Sequence, residues 1–520
     1  MPPTFTYPGV YIEEIPSGVH TITGVATSIA AFAGWAAEGP TTKATLVQSW
    51  TDFETQFGGL DARSLLGYSV NQFFGNGGQQ AYIVRLVDPS AGPGTVAVPA
   101  SGGGTAFTAN AYDAGQWSSK YGVRIVPNPS DATRFMLVVV YTPTPTQEIV
   151  VESFTNLSML ANDPQARSVE SVVNDPLTGS QLIQLAGVST TPGVLPAPNA
   201  LTAPGLPPAP YMLAGGVDGT VLQPGTPAFH TALNAGGSGT GVHLLDTVPI
   251  FNLLCVPAED DPTTIQQLQK FCRDERAFYI VDCKEGDSFT SLQTGPNSNI
   301  TKDDAINSAF YFPWVNAPDP LQQGRIKPYP PCGFVAGIYA ATDATRGVWK
   351  APAGIDAGLS GEAGLKTVLT DLQNGTLNIN AVNCLRHFPV YGDVVWGART
   401  LRGNDQVGSE WKYVPIRRLA LFLESSLFQG TQWVVFEPND ERLWSQIRMN
   451  VGAFMQGLFL QGAFQGTTPQ SAYFVKCDAE NNPQSSINLG IVNILVGFAP
   501  LYPAEFVVIQ IQQMAGQLQA

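Results

Sequence analysis

Both ends of the chain show patterns that are typical of β-strands. Near the C-terminus, apolar residues recur at every second position, at Val507, Ile509 and Ile511, which predicts a half-buried strand. The stretch 7–18 carries a similar set of β-prone residues. We therefore predict an N-terminal β-arm over residues 1–20 and a C-terminal β-arm over residues 505–520. Because an unpaired strand is a template for another chain, two such arms predict copies of this chain that pair with one another.

Pairing of this kind would use consecutive residues of each arm. Strand addition takes its affinity from main-chain hydrogen bonds and its specificity from alternate side chains. The residues predicted to pair between subunits are Val10, Tyr11, Ile12, Glu13, Glu14, Ile15, Phe506, Val507, Val508, Ile509 and Ile511.

Between the arms, the patterns predict four further segments. Residues 21–90 mix helix and strand signals and form an α/β segment. Residues 91–205 contain short β-type runs and then a proline-rich stretch, which indicates an inserted, mainly-β domain followed by a linker. Residues 206–364 are predicted to be an α/β domain, and residues 365–504 a C-terminal domain of strands and one strong helix.

A βαβ unit supports the α/β assignment. Residues 251–256 and 277–282 are predicted strands, and the helix between them covers residues 264–276, so the two strands are expected to be parallel.

The strong helix of the C-terminal domain is predicted over residues 439–463. It has a continuous apolar stripe with Arg442 on the opposite, polar face and Arg448 at the margin. The stripe consists of Leu443, Ile447, Val451, Phe454 and Leu458.

Composition narrows the function classes. The formal charge of −15 argues against general binding of nucleic acid or anionic lipid. No secretory signal and no apolar run of membrane-spanning length is evident, so we expect no membrane insertion.

Six scattered cysteines predict free, mostly buried thiols in a reducing cytoplasm. Only 13% of the residues are charged, which suggests that much of the surface is covered by other copies.

Candidate chemistry is sparse. Glu259, Asp260 and Asp261 follow a predicted strand, where α/β sheets bind ligands, and Asp282 ends the next strand. These carboxylates could hold a metal or act as acid and base, or they could serve the N-terminus of the next helix. The four histidines have no metal-ligand spacing, and no nucleophile motif is found. We therefore assign no catalytic residue, no cofactor and no metal site.

Segments along most of the chain resemble the tail sheath proteins of contractile bacteriophages and bacterial contractile injection systems. The first is the opening motif Tyr-Pro-Gly-Val-Tyr-Ile-Glu-Glu-Ile-Pro at residues 7–16. The others are residues 152–157, 213–219, 311–315, 347–353, 395–400, 411–418 and 424–466, together with the closing strands.

This resemblance implies a multidomain α/β and α+β structural protein without enzymatic activity. It implies a subtilisin-like α/β middle domain, an inserted mostly-β outer domain, and a C-terminal inner α+β sheath domain with exchanged N- and C-terminal β-arms. The subtilisin nucleophile motif is absent, so peptidase activity is not expected. In that family, sixfold rings of subunits stack around an inner tube, and contraction drives the tube through a target envelope.

The partners implied are other copies of the chain, an inner tube protein, and baseplate and terminator or cap proteins. Arg442 and Arg448 become candidates for facing the tube. Assembly would take place in the bacterial cytoplasm, and the product would be part of a phage tail or an injection particle. The alternatives are a non-contractile polymer, such as a capsid or surface layer, and a hydrolase that uses Glu259, Asp260 and Asp261.

Overall fold

A computed structural model describes residues 20–144, 147–191, 193–199 and 208–510, which form two compact units. The α/β unit comprises Thr27–Arg346 and Lys350–Arg417. Of the described residues, the C-terminal unit comprises 20–26, Gly347–Trp349 and 418–510. Several predicted arm residues lie outside the described residues, namely Val10, Tyr11, Ile12, Glu13, Glu14, Ile15 and Ile511.

The elements of the described residues are as follows. The strands are β1 Ala30–Trp35, β2 Thr45–Val47, β3 Ala81–Leu86, β4 Thr95–Pro99, β5 Thr105–Ala111, β6 Tyr121–Pro127, β7 Phe135–Thr144, β8 Gln147–Leu157, β9 Ile183–Ala186, β10 Tyr211–Met212, β11 Leu253–Cys255, β12 Phe278–Asp282, β13 Ser308–Phe312, β14 Val315–Asp319, β15 Arg325–Tyr329, β16 Val382–Phe388, β17 Gly392–Val395, β18 Tyr473–Lys476 and β19 Leu495–Phe498. The helices are α1 Trp50–Phe57, α2 Leu66–Gly75, α3 Val169–Val173, α4 Pro227–Leu233, α5 Pro262–Asp274, α6 Phe289–Leu292, α7 Cys332–Arg346, α8 Asp371–Ile379, α9 Val414–Gly430, α10 Glu441–Leu460, α11 Pro469–Ala472 and α12 Gln484–Asn488.

An eight-stranded sheet forms the centre of the α/β unit. Its strand order is β17-β16-β13-β12-β11-β1-β3-β2, with all neighbours parallel except the β2–β3 and β16–β17 pairs. β1, β12 and β13 are buried along their whole length, as expected for parallel strands covered on both faces. The predicted βαβ unit is confirmed as β11-α5-β12, with Leu253 paired to Phe278. The α/β class is therefore confirmed, while a subtilisin-like fold remains a prediction.

Residues between β3 and β11 form two further sheets with a core of their own. One sheet has the order β10-β6-β7-β8 and the other β4-β5-β9. Phe107, Leu137 and Leu157 are fully buried in the shared core. Alternate burial along β5 and β9 is typical of strands with one face on a core.

The guanidinium of Arg85 connects this β region to the residues that follow β1. Arg85 is the last but one residue of β3, lies opposite Gly34 of β1, and is almost fully buried. It donates hydrogen bonds to the carbonyl oxygens of Ala36 (2.8 Å), Ala37 (2.9 Å), Gly39 (2.6 Å) and Ala114 (2.8 Å). Because Ala114 belongs to the β region and the others follow β1, one side chain joins the two parts of the unit.

The boundary of the C-terminal unit differs from the predicted one. Residues 365–417 were expected in the C-terminal domain, but β16 pairs with β13 and extends the large sheet. The C-terminal unit itself contains α9 from Arg418 on, α10, and the β18–β19 sheet. The predicted strong helix is confirmed as α10, whose stripe residues Leu443, Ile447 and Val451 are buried.

Two composition-based expectations can be compared with the structure. All six cysteines are free and buried, which confirms the thiol prediction. Within the described ranges, no helix has the length and apolar character required to cross a bilayer.

Candidate assembly site

The last described residues include four consecutive apolar side chains that are exposed. Phe506, Val507, Val508 and Ile509 have no strand partner in the structure, and their exposed fractions range from 74% to 81%. Four consecutive large apolar side chains exposed in this way are unusual on a monomer surface and mark interaction sites. These residues include the described part of the predicted C-terminal arm.

A two-stranded sheet precedes this segment in the same unit. β18 and β19 are antiparallel, with Tyr473 opposite Phe498 and Lys476 opposite Leu495. One face packs on the core of the C-terminal unit, whereas Phe474 and Leu495 on the other face are about half exposed. A sheet of two strands is marginally stable alone, and three or more are the rule. Each strand of this sheet therefore has an outer edge, and the two edges differ in what lies beside them.

The hydrogen-bond alternation shows which backbone groups point outward. The Ala499 N–H donates to the Ala472 carbonyl (2.8 Å), so this pair and every second pair after it exchange hydrogen bonds within the hairpin. The N–H and C=O groups of Val496 and Phe498 must then point away from β18. Within the described part of the chain these groups make no hydrogen bond, so the outer edge of β19 is available to a strand.

The outer edge of β18 is partly occupied. The Tyr473 N–H donates to the carbonyl of Pro469, at the end of α11. Val475 is the next residue that points outward, and no strand of the described residues pairs with it on that side. The sequence indicated strands here but not their open edges, because openness depends on which elements fail to pack beside them.

The first described residues are anchored on the helices of the same unit. The ring of His20 stacks on Trp433 with 4.1 Å between the ring centroids, and the backbone N–H of His20 donates to Oδ1 of Asn450 (3.2 Å). Ile22 is buried, and a Cβ placed on Gly430 would lie 2.6 Å from its Cγ2. This close approach requires glycine on α9. The predicted N-terminal arm therefore starts from the unit that carries the open sheet.

The two arginines proposed to face a tube lie on α10 in different surroundings. Arg448 is half-buried, pairs with Glu441 (2.6 Å), and donates to the carbonyl of Cys477. Arg442 is exposed and forms no ion pair within the described residues. Arg442 is therefore the better candidate for an external anionic contact, while Arg448 stabilises its own unit.

The carboxylates that follow β11 have structural partners. Glu259 is fully buried and accepts hydrogen bonds from the Asp261 N–H (2.9 Å) and the Gly225 N–H (3.2 Å), and its Oε1 lies 3.0 Å from Nε2 of His230. Asp261 caps α5 by accepting from the N–H (2.8 Å) and Oγ1 (3.0 Å) of Thr264. Although burial raises the pKa of Asp261, the hydrogen bonds from Thr264 leave it below the usual value.

Asp282 and Asp260 complete this group. Asp282 is buried between two loops and accepts from the N–H groups of Ala258 (2.9 Å) and Cys332 (2.8 Å), and burial raises its pKa to about 6. Asp260 is partly exposed and lies 3.5 Å from the Lys284 ammonium. Both line a cavity of about 500 Å³. Most of these carboxylates therefore hold backbone groups, as the structural alternative for this group predicts.

Tail sheath proteins are similar to this chain in sequence. A family model described as the phage tail sheath C-terminal domain matches residues 406–514. The chain is 28% identical over 161 residues to the tail sheath protein of Vibrio phage KVP40. It is 26% identical over 296 residues to a putative prophage major tail sheath protein of Pseudomonas aeruginosa. This chain is similar in sequence to tail sheath proteins over these stretches. The predicted resemblance is therefore confirmed.

The extent of similarity to sheath proteins differs between the comparisons. The alignments cover 31% of this chain and 22% of the Vibrio phage protein, and 52% of this chain and 69% of the Pseudomonas protein. The chain thus spans about a fifth of the Vibrio phage relative. The helical sheath of the anti-feeding prophage in its contracted state has a TM-score of 0.58 at 22% identity, covering 98% of this chain and 100% of that one. The sheath fold therefore extends beyond the C-terminal match to nearly the whole chain.

Proposed function

We propose that this protein is the subunit of a contractile sheath that polymerises through exchanged β-arms. The observation that carries the proposal is the combination, in one unit, of an incomplete sheet and an exposed apolar arm. Val496 and Phe498 offer outward backbone groups on β19, and Phe506–Ile509 is an exposed apolar segment that pairs with no strand of the described residues. An arm from one copy completes the sheet of the next copy. The open edge of β19 and the exposed apolar side chains of the arm are then both covered.

Exchanged β-arms are compatible with contraction of the polymer. A strand held by main-chain hydrogen bonds stays attached while the chain before it bends, so the bodies of the subunits can repack without dissociating. Contraction is then a transition between two packings of one lattice. A few kcal/mol of difference per subunit is sufficient, because a cooperative polymer sums the contributions of many copies.

The remaining parts of the proposal rest on the sheath relatives. Subunits form stacked sixfold rings around an inner tube, with baseplate and terminator proteins at the two ends. The particle assembles in the bacterial cytoplasm as a phage tail or an injection device. The β region between β3 and β11 lies on the exterior, the C-terminal unit lies innermost with Arg442 toward the tube, and the chain has no enzymatic activity.

The arm proposal is tested by substitutions that act only on pairing. Val496→Pro removes an outward N–H of β19 but leaves the β18–β19 hydrogen bonds in place, and Val496→Ala is its matched control because it keeps the N–H. We expect Val496→Pro to remain a folded monomer that forms no tubes in negative-stain microscopy, and Val496→Ala to form tubes. Normal tubes from Val496→Pro would exclude the outer edge of β19 as the acceptor.

The donor strand is tested in the same way. Deletion of the residues after Glu505 should give a folded chain that sediments as a monomer, because the strand that completes the neighbour is absent. Leu177→Glu is the control for changes at exposed apolar positions, since Leu177 is 89% exposed in the proposed exterior β region and should not affect assembly. Tubes formed by the truncated chain would contradict a role for this arm.

A further inference from the structure

A cavity of about 500 Å³ lies at the carboxyl ends of two neighbouring parallel strands of the large sheet. It is lined by Asp260, which follows β11, and by Asp282, the last residue of β12. Residues around the short helix α6 form much of the remaining wall. Open α/β sheets bind ligands outside the carboxyl ends of their strands, and cavities of about 300–1,000 Å³ hold small molecules. The cavity therefore has the position and the size of a small-molecule site.

The carboxylate of Asp282 places a buried negative charge at this cavity. Asp282 is only 3% exposed and accepts hydrogen bonds from the N–H groups of Ala258 (2.9 Å) and Cys332 (2.8 Å). These donors carry no net charge, and Asp282 forms no ion pair within the described residues. Although burial raises its pKa to about 6, the group is ionised at neutral pH. Buried carboxylates are normally compensated by a cation, which the described part of the chain does not supply to Asp282.

Two further carboxylates line the cavity, together with one ammonium group. Asp287 accepts hydrogen bonds from the backbone N–H of Lys284 (3.0 Å) and the hydroxyl of Ser291 (3.0 Å), and it forms no ion pair in the ranges that the structure describes. The Lys284 ammonium lies 3.5 Å from the Asp260 carboxylate, and its side chain is 56% exposed. Three carboxylates and one ammonium group leave the lining with two negative charges in excess. A cavity with such a lining attracts cations.

Apolar side chains make up another part of the lining. Four of them are at most 5% exposed, namely Ile265, Leu292, Ile300 and Phe310. Methylene groups gain free energy by packing against such a surface, whereas a hydrated metal ion does not. The described residues also contain no group of three or more His, Cys, Asp or Glu side chains that could hold a metal ion. The lining therefore fits an organic cation with an aliphatic chain.

We propose that this cavity binds an aliphatic diamine, with one ammonium group paired to Asp282 and the other to Asp287. The methylene chain between the two ammonium groups packs against the apolar part of the lining. The bound diamine supplies the missing counter-charge of Asp282 and stabilises the loops that follow β11 and β12. This site belongs to the α/β unit, and its existence does not depend on the proposed role of the chain in a sheath.

Isothermal titration calorimetry of the purified full chain with putrescine tests the site. We expect saturable binding of one putrescine per chain. Butylamine keeps one ammonium group and should bind about tenfold more weakly, and butanediol, which has none, should not bind. Mg²⁺ carries the charge of putrescine without its methylene groups and should not displace it at equal concentration. Displacement by Mg²⁺ would show that charge alone decides, and would overturn the choice of an aliphatic ligand.

Two substitutions show whether binding takes place in this cavity. Asp282→Asn and Asp287→Asn each remove one carboxylate and should weaken putrescine binding about tenfold or more. Asp356→Asn is the matched control, because Asp356 is 77% exposed and does not line the cavity, so its affinity should equal that of the wild type.

The variant at Asp282 needs a check of its fold, because an asparagine accepts fewer hydrogen bonds from the buried N–H groups of Ala258 and Cys332. Circular dichroism provides this check, and Asp287→Asn decides alone if Asp282→Asn does not fold. Unchanged affinity for putrescine in either folded variant, or no saturable binding to the wild type, would overturn the proposal.

Discussion

Replacing Arg85 by methionine should strongly destabilise the α/β unit. Methionine preserves much of the apolar stem but removes the guanidinium that binds the carbonyl oxygens of Ala36, Ala37, Gly39 and Ala114. These carbonyls come from the end of β1 and from the root of the β region, and the contact is buried. The change therefore removes the hydrogen bonds that join two parts of the unit and leaves acceptors without a partner.

The expected loss in the free energy of unfolding follows from two opposing contributions, the hydrogen bonds of the guanidinium and the cost of burying its charge. Four hydrogen bonds to a charged group contribute about 6–12 kcal/mol at about 1.5–3 kcal/mol each. Burial lowers the pKa of Arg85 to about 10, a shift that corresponds to about 3 kcal/mol of desolvation cost. Because such bonds are not additive and water can reach some of the freed carbonyls, we expect a net loss of about 3–5 kcal/mol.

Urea unfolding followed by tryptophan fluorescence measures this loss. Trp117 reports on the region directly, because its indole N–H donates to the same Ala114 carbonyl (3.2 Å). Arg63→Met is the matched control: the Arg63 side chain is 48% exposed and pairs with Asp61 and Asp218, so its loss should cost at most about 1 kcal/mol. If Arg85→Met were no more destabilising than Arg63→Met, the carbonyl contacts would not be what joins the two parts.

Two further predictions concern buried and capping carboxylates. Burial raises the pKa of Glu38 from 4.5 to about 7, so its contribution to stability is fully present below about pH 4.5 and is lost as the pH rises through about 7. Glu38→Gln should therefore flatten the decline of the urea midpoint between about pH 5 and pH 8, and an unchanged decline would contradict this assignment. Asp261→Ala should cost about 1 kcal/mol through loss of the α5 cap, whereas Asp260→Ala should cost less than about 0.5 kcal/mol. Thermal unfolding measures both, and tube formation by either variant should be normal; a metal-dependent activity lost with Asp260→Ala would instead support the hydrolase alternative.

Helices and strands in which apolar residues recur at a regular spacing were predictable from the sequence. The apolar stripe over Leu443, Ile447 and Val451 predicted α10, and the succession of patterns from 251 to 282 predicted a parallel βαβ unit. In both cases the type of element is decided by side-chain spacing within a few turns of helix or within one strand, because that spacing determines which face can be buried. The alternation after Glu505 likewise predicted an arm, and the apolar residues of its described part are exposed.

Features that depend on distant pairing were not predictable. β16 joins the large sheet through Phe310 opposite Val382, a contact between segments about seventy residues apart, so the unit boundary moved from residue 365 to Arg418. Pattern alone does not choose the neighbour of a strand, because many registers satisfy the same alternation.

The sequence by itself predicted strands at the chain ends, and it determined that the core contains a parallel sheet and that no catalytic motif stands out. Only the tertiary structure decided that Val496 and Phe498 lie on an open edge, and that the buried Arg85 joins the residues after β1 to Ala114. The physical reason is the same in both cases. A hydrogen-bonding group is satisfied or left open by whatever packs beside it, and the packing partner is set by the fold of the whole unit rather than by neighbours along the chain.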